Sequence, residues 1–158
     1  FEKISVGEPL LSSEEDFRKV IEAVMEEQED LEPQEALLLM GHGTEHHVNP
    51  VYAALDYMFK DLGYENVHVG TVEAYPSFAS VLRLVKASDV KKVRLEPFMV
   101  VAGDHAMNDM AGGEEDSWKS LLEAEGYEVT CVLKGLGEYK EIQKLYAEHA
   151  RQAELLEP

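Results

Sequence analysis

Residues 36–43 read ALLLMGHG, a continuous apolar run that ends in a histidine between two glycines. Such a run, without alternating polar residues, is typical of a strand that is buried on both faces, as in a parallel sheet covered by helices. A glycine at the end of the run lets the chain turn sharply out of the sheet. The stretch therefore predicts a central parallel strand followed by a loop that presents His42.

Outward from this strand, strand patterns and helix patterns alternate along the chain. Strands are predicted at 3–6, 36–41, 66–72, within 90–100 and at 127–133, helices at about 14–30, 50–62, 76–88, 114–126 and 138–156, and a long loop at 101–113. Strands that alternate with helices form parallel βαβ units. We therefore expect a three-layer α/β fold, with a four-stranded, mainly parallel sheet in the order 2-1-3-4, flanking helices and an extra N-terminal strand–helix unit.

Three of the predicted strands lead into loops that carry metal-binding side chains. His42 follows LLLMG, Glu73 lies in VHVGTVEAYP, and His105 lies in RLEPFMVVAGDHAMND. They are 31 and then 32 residues apart. Each gap has about the length of one βα unit, so all three are expected on the same rim of the sheet. Two imidazoles and one carboxylate suit a labile divalent transition metal better than a closed structural zinc.

The composition is that of an ordinary globular domain with an acidic surface. Of the 158 residues, 14 are Lys or Arg and 32 are Asp or Glu, which gives a net charge of −18. This charge disfavours nucleic acids and anionic membranes as partners. The longest apolar runs are too short to span a bilayer, and we expect a cytoplasmic location. The single cysteine, Cys131, is expected to be a buried, inert thiol.

The two ends of the chain resemble one another. Residues 1–27 and 127–153 both contain an aromatic residue followed by Glu, a short β-branched strand, a turn with leucine and a helix with acidic residues at its start. A repeated unit of this kind indicates an internal duplication. We therefore expect residues 1–32 to be the last strand–helix unit of a preceding homologous half.

Three strings carry a resemblance to a known family: MGHGTEHHVNPVYAALDYMF, VGTVEAYPS and EPFMVVAGDHAMNDMAGGEEDSWKS. They resemble the C-terminal half of the anaerobic cobalt chelatases, the sirohydrochlorin cobaltochelatases of cobalamin biosynthesis, which are similar to class II ferrochelatases. The resemblance implies that residues 33–158 are a C-terminal chelatase-like domain that inserts cobalt(II), the substrate metal, into a tetrapyrrole. It implies no organic cofactor. It assigns the metal ligands to His42, Glu73 and His105. Because metal insertion releases two pyrrole protons and a histidine can serve as a general base, we expect His42 to be also the proton acceptor, with Glu73 as the alternative acceptor, and we take these two as the catalytic residues.

The rim segments 41–50, 73–78 and 97–113 contain no Lys or Arg. They suit a cation better than sirohydrochlorin, which carries several carboxylates. Either backbone N–H groups and helix N-termini hold the carboxylates, or an absent N-terminal half supplies the basic residues, and we expect the second. A second copy of the chain in a homo-oligomer is the alternative to that half. Two other functions fit the same residues, a non-catalytic carrier of metal or tetrapyrrole and a ferrochelatase-type enzyme for iron or nickel.

Other side chains near the rim have less specific predictions. His46 and His47 are expected to bind a second metal or the substrate, or else to be ordinary surface residues. Met99, Met107 and Met110 are expected to contact the macrocycle face, or else to fill the core. Asp104, Asn108 and Asp109 are expected to orient His105, or else to be ordinary surface residues. Those expected to be structural or exposed are His68 within a strand, Trp118 as a packing anchor and His149 on the surface of the last helix.

Overall fold

The computed structural model describes residues 4–155, which form two compact units. The larger unit spans residues 30–136, and the smaller unit contains the described parts of 1–29 and 137–158. Within the described residues the strands are β1 (Ser5–Val6), β2 (Glu35–Gly41), β3 (Val67–Thr71), β4 (Lys92–Pro97), β5 (Glu128–Cys131) and β6 (Glu154–Leu155). The α-helices are α1 (Glu14–Glu26), α2 (Val51–Asp61), α3 (Phe78–Lys86), α4 (Trp118–Ala124) and α5 (Lys140–Arg151).

The larger unit is built on a four-stranded parallel sheet in the order β3-β2-β4-β5. Counted along the chain within this sheet, the order is 2-1-3-4, so the predicted fold class is confirmed. Every residue of β2 is buried, as expected for a central strand covered on both faces. Because all four strands run in the same direction, their carboxyl ends lie on one rim of the sheet.

The core of the larger unit explains the apolar run at residues 36–40. Leu38 and Met40 of β2 belong to one buried cluster with Val85 of α3 and Trp118 of α4. Trp118 is 4% exposed, which confirms its predicted role as a packing anchor. Gly70 of β3 allows this packing, because a Cβ atom there would lie 2.9 Å from the Trp118 ring.

β3 is an edge strand of the sheet, and an ion pair from α2 binds its outer backbone groups. The Lys60 ammonium donates to the carbonyl of Val67 at 2.6 Å, and the Asp56 carboxylate accepts from the amide of Val69 at 2.8 Å. The two side chains also contact one another at 2.6 Å. These bonds occupy backbone groups that would otherwise be open to pairing with another strand.

The loop between β4 and α4 departs from the sequence prediction. It contains a π-helical turn at Ala106–Met110, where an irregular loop was expected over 101–113. The helix predicted to begin at 114 begins at Trp118, because Ser117 is its N-cap and accepts from the amide of Ser120 at 3.1 Å. The same hydroxyl donates to the carbonyl of Gly112, which fixes the end of the loop.

The smaller unit contains α1, α5 and a two-stranded antiparallel sheet of β1 and β6. Residue 3 of the strand predicted at 3–6, and residue 156 of the helix predicted at 138–156, lie outside the described residues. His149 is not an exposed residue of α5 as predicted: its side chain is 14% exposed, because it contacts Asp16 at 3.0 Å and donates to the carbonyl of Glu8. Cys131 of the larger unit is only half-buried, and burial raises its pKa.

The compact units are defined by contacts, whereas the predicted domains are defined by ancestry. By contacts, the described residues of 137–155 group with those of 4–29. The expectation that 1–32 descend from a preceding half and 33–158 from a C-terminal one concerns ancestry, and it stays a prediction.

Candidate metal centre

The structure brings together the three side chains that the sequence spacing selected. His42 directly follows β2, Glu73 lies two residues after β3, and His105 lies in the loop after β4. One ligand atom from each residue lies within 4.8 Å of the others. Because ligands about 2.1 Å from one ion are at most about 4.2 Å apart, small side-chain rotations are enough to close the set around a metal. Their role as ligands stays a prediction.

His42 and Glu73 are fixed to one another through their backbones. The amide of Glu73 donates to the carbonyl of His42 at 3.0 Å, so the loops after β2 and β3 run side by side. Nδ1 of His42 lies 3.7 Å from Oε2 of Glu73. Both side chains are about half exposed, 47% and 55%, which leaves them accessible to an ion or a ligand from solution.

The glycine after His42 makes this arrangement possible. Gly43 has a φ of +86°, and a Cβ atom there would lie 2.9 Å from Ala74 and 3.0 Å from Thr71. Its carbonyl lies 2.9 Å from Nδ1 of His42. Since a carbonyl can only accept, Nδ1 carries the proton and Nε2 keeps its lone pair for a metal.

His105 stands at the start of the π-helical turn and is one-third exposed. Its ring meets the ring of His42 edge to face, with centroids 4.6 Å apart. Nδ1 of His105 lies 2.7 Å from Oδ2 of Asp109, four residues later. The next residue, Ala106, and the last residue of the turn, Met110, are fully buried and anchor the turn in the core.

This arrangement has the chemistry of an open, exchangeable metal site. Two imidazoles and one carboxylate provide ligands of borderline softness, and a single carboxylate only partly neutralises a divalent ion. The site is exposed, so water can complete the coordination sphere and can be replaced. A closed structural zinc site would instead have four protein ligands and little exposure.

The remaining histidines lie outside this cluster. His46 and His47 are exposed, with ring centroids 4.0 Å apart, on the loop that follows His42. Nδ1 of His46 accepts from the amide of Val48 at 3.4 Å, a bond that competes with metal binding at that atom. His68 is buried in β3, as expected of a structural residue, and its pKa is lowered to about 4 chiefly by burial.

Of the three methionines predicted either to fill the core or to touch the macrocycle, only Met107 is exposed, at 53%. Met110 is fully buried, and Met99 packs against the core cluster. Sequence reasoning missed four other large apolar side chains that are exposed in the rim loops: Val48, Tyr75, Val100 and Val101. Their position in the sequence, in the loops that carry the predicted ligands, could have identified them.

The strand order is that of a doubly wound parallel α/β domain, and the rim cluster is of a kind that could hold a metal ion. The fold is similar to that of the sirohydrochlorin chelatase SirB from Bacillus subtilis subspecies spizizenii, in its crystal structure in complex with cobalt. The TM-score is 0.57, the sequence identity is 15%, and the match covers 95% of this chain and 54% of that one. The family model described as cobalt chelatase (CbiK) matches residues 1–154. The chain therefore belongs to the cobalt chelatase (CbiK) family.

Two curated relatives carry related names. The chain is 39% identical over 153 residues to the sirohydrochlorin cobaltochelatase of Salmonella typhimurium, covering 97% of this chain and 58% of that protein. It is 35% identical over 150 residues to the sirohydrochlorin cobaltochelatase CbiKC of Nitratidesulfovibrio vulgaris, covering 94% of this chain and 53% of that protein. The chain thus spans little more than half the length of these relatives.

No helix among residues 4–155 is both long and apolar enough to cross a membrane.

Proposed function

We propose that this chain provides the metal-binding part of an enzyme that inserts cobalt(II) into sirohydrochlorin, in the cytoplasm. The observation that carries the proposal is the convergence of His42, Glu73 and His105, with ligand atoms within 4.8 Å, in a member of the cobalt chelatase family. The names of both curated relatives support the choice of metal and tetrapyrrole. No organic cofactor enters the proposal.

Cobalt(II) is the substrate metal in this proposal, and it must be held loosely enough to leave. His42, Glu73 and His105 bind it, and the remaining positions are taken by water, which the pyrrole nitrogens replace one after another. The single carboxylate contributes one negative charge, so the ion keeps a net positive charge that favours transfer into the macrocycle.

Insertion also releases two pyrrole protons, and His42 is the proposed acceptor. Its Nδ1 proton is held by the carbonyl of Gly43 at 2.9 Å, so Nε2 is free to take a proton once the metal has moved on. Glu73, whose Oε2 lies 3.7 Å from Nδ1 of the same ring, is the proposed acceptor of the second proton. The two residues are therefore the proposed catalytic pair.

We propose that exposed apolar side chains of the rim loops contact the flat macrocycle. Val48, Tyr75, Val101 and Met107 are each at least half exposed, and they lie in the loops that follow β2, β3 and β4. Burying such side chains against an aromatic face is favourable by about 25 cal/mol per Å² of apolar surface.

The carboxylates of the substrate need partners that the rim segments lack, since residues 41–50, 73–78 and 97–113 contain no Lys or Arg. We propose that another half of the enzyme provides them, either a preceding lobe or a second copy of the chain. The chain spans just over half the length of the curated relatives, so those proteins contain further residues that could supply such partners. A second copy would instead make a homodimer or larger homo-oligomer.

Cobalt insertion followed by absorbance tests the proposal. The chain is assayed alone and with the N-terminal half of the Salmonella typhimurium relative made as a separate chain. We expect the mixture to convert many equivalents of sirohydrochlorin per chain, and the chain alone to bind cobalt with little turnover. Conversion that stops at one equivalent in both samples would instead indicate a carrier, and faster insertion of iron or nickel would indicate a ferrochelatase-type enzyme.

Point variants assign the roles of the residues in the same assay. His42→Ala, Glu73→Ala and His105→Ala should each lose most of the activity. His47→Ala removes an exposed histidine from the same loop as His42 and should keep it. Normal rates in all three cluster variants would reject the proposed site.

A further inference from the structure

The side chain of Asp109 contacts a proposed metal ligand, His105. Its Oδ2 lies 2.7 Å from Nδ1 of His105, a short distance for a bond between a ring N–H and a carboxylate. The two residues are four positions apart, at the start of the π-helical turn and within it. Both stay partly exposed, at 34% and 48%, so the pair faces the rim and not the core.

The turn does not depend on this contact for its shape. Ala106 and Met110 are fully buried, and the amide of Ala111 donates to the carbonyl of Ala106 at 3.1 Å. Gly112 closes the turn, because a Cβ atom there would lie only 2.2 Å from the carbonyl oxygen of Asn108. Packing and backbone bonds therefore fix the loop, and the Asp109 carboxylate is left to act on the ring of His105.

The two other polar residues near His105 in the sequence, Asp104 and Asn108, are not placed like Asp109. Asp104 and Asn108 are exposed, and among residues 4–155 neither side chain has a hydrogen bond to His105. Asp104 is directly next to His105 in the chain and carries the same charge as Asp109. It is therefore a matched control for any effect of local charge alone.

We propose that Asp109 is a positioning residue that holds His105 in the tautomer with the proton on Nδ1 and directs Nε2 toward the metal. The inference rests on the proposed metal-binding function. A ligating histidine typically donates its other N–H to a carboxylate or a carbonyl, which fixes the ring and raises the basicity of the ligating nitrogen. His42 donates to the carbonyl of Gly43, and His105 donates to the carboxylate of Asp109.

The first test is the tautomer of His105 in the metal-free protein, measured by nitrogen-15 NMR well above the usual histidine pKa of about 6.5. In the wild type we expect the proton on Nδ1. In Asp109→Ala we expect a shift toward the Nε2–H form, and Asp109→Asn, which keeps one acceptor oxygen, should shift less. Asp104→Asn should match the wild type.

The second test is a cobalt(II) titration of the same variants. Asp109→Ala should weaken binding by roughly 10–100-fold, the usual cost of losing an outer-shell partner, and Asp109→Asn should fall between it and the wild type. Asp104→Asn should bind within about twofold of the wild type.

The two measurements separate the possible failures. A wild-type tautomer and affinity in Asp109→Ala, or an equal loss in Asp104→Asn, would overturn the role of Asp109. If Asp109→Ala fails to fold, the nearly isosteric Asp109→Asn decides the question. If the wild type binds no cobalt, the proposed function fails, while the tautomer measurement still decides whether Asp109 orients His105.

Discussion

Acid should destabilise this protein through His68, a buried histidine in β3. The side chain is 5% exposed, and its Nδ1 has no hydrogen-bond partner among the described residues. Its pKa is lowered to about 4, first by burial and second by the Lys60 ammonium, while Asp56 acts in the opposite direction. The ring is therefore neutral at neutral pH, and protonating it in place is unfavourable.

The size of the effect follows from the difference between the folded and unfolded pKa values. An unfolded histidine has a pKa of about 6.5, so on acidification the unfolded chain takes up the proton first and becomes favoured. The free energy of unfolding should fall by about 2 kcal/mol between neutral pH and about pH 5, and by about 3 kcal/mol below pH 4. The stability is full above the unfolded pKa and is lost as the pH falls toward the folded one.

Substitution by a side chain that cannot titrate isolates this contribution. His68→Leu should remove about 2 kcal/mol of the stability loss between about pH 7 and about pH 5, as measured by urea unfolding. Near pH 7 it should be neutral or slightly stabilising, because it also removes a buried nitrogen that has no hydrogen-bond partner within residues 4–155. His47→Leu, at an exposed position, should keep the wild-type acid sensitivity. An unchanged pH dependence in His68→Leu would refute the reasoning.

Two further substitutions test local geometry. Gly43→Ala should lower the free energy of unfolding, measured in urea, by more than Gly63→Ala does. Both glycines have a positive φ, but only at Gly43 does a new Cβ atom meet close neighbours. We expect a cost of about 1 kcal/mol for Gly63→Ala and at least about 1 kcal/mol more for Gly43→Ala, which should also weaken cobalt binding. Equal costs would contradict the crowding at Gly43. Asp16→Ala should lower the free energy of unfolding by about 3 kcal/mol, because it leaves the mostly buried His149 without its ion partner. Glu15→Ala, at an exposed position, should lower it by less than about 1 kcal/mol. Similar losses in the two variants would count against a buried pair.

The sheet was predictable because its sequence pattern has one interpretation. The apolar run at 36–40 is too short for a helix and has no alternation, so a strand covered on both faces is the consistent choice. Near-equal spacing of His42, Glu73 and His105 then placed all three on one rim, since parallel strands share their carboxyl ends. Their proximity in the structure follows from that topology.

The loop details were not predictable for physical reasons. A π-helical turn depends on the burial of Ala106 and Met110, which is a property of the packed core and not of local sequence. Three polar residues near His105 looked equivalent in the sequence, and only the turn geometry brings Asp109 into contact. His149 was misjudged because its partner, Asp16, lies 133 positions away in the chain.

The central claim is that His42, Glu73 and His105 bind one exchangeable cobalt(II) ion. A cobalt titration of the wild type, followed by the absorbance of the bound ion, tests it most directly, with His47→Ala as the control. The account predicts one ion per chain, and in each of the three alanine variants a loss of affinity larger than the roughly 10–100-fold typical of an outer-shell partner. Wild-type affinity in the three cluster variants, or an equal loss in His47→Ala, would contradict it.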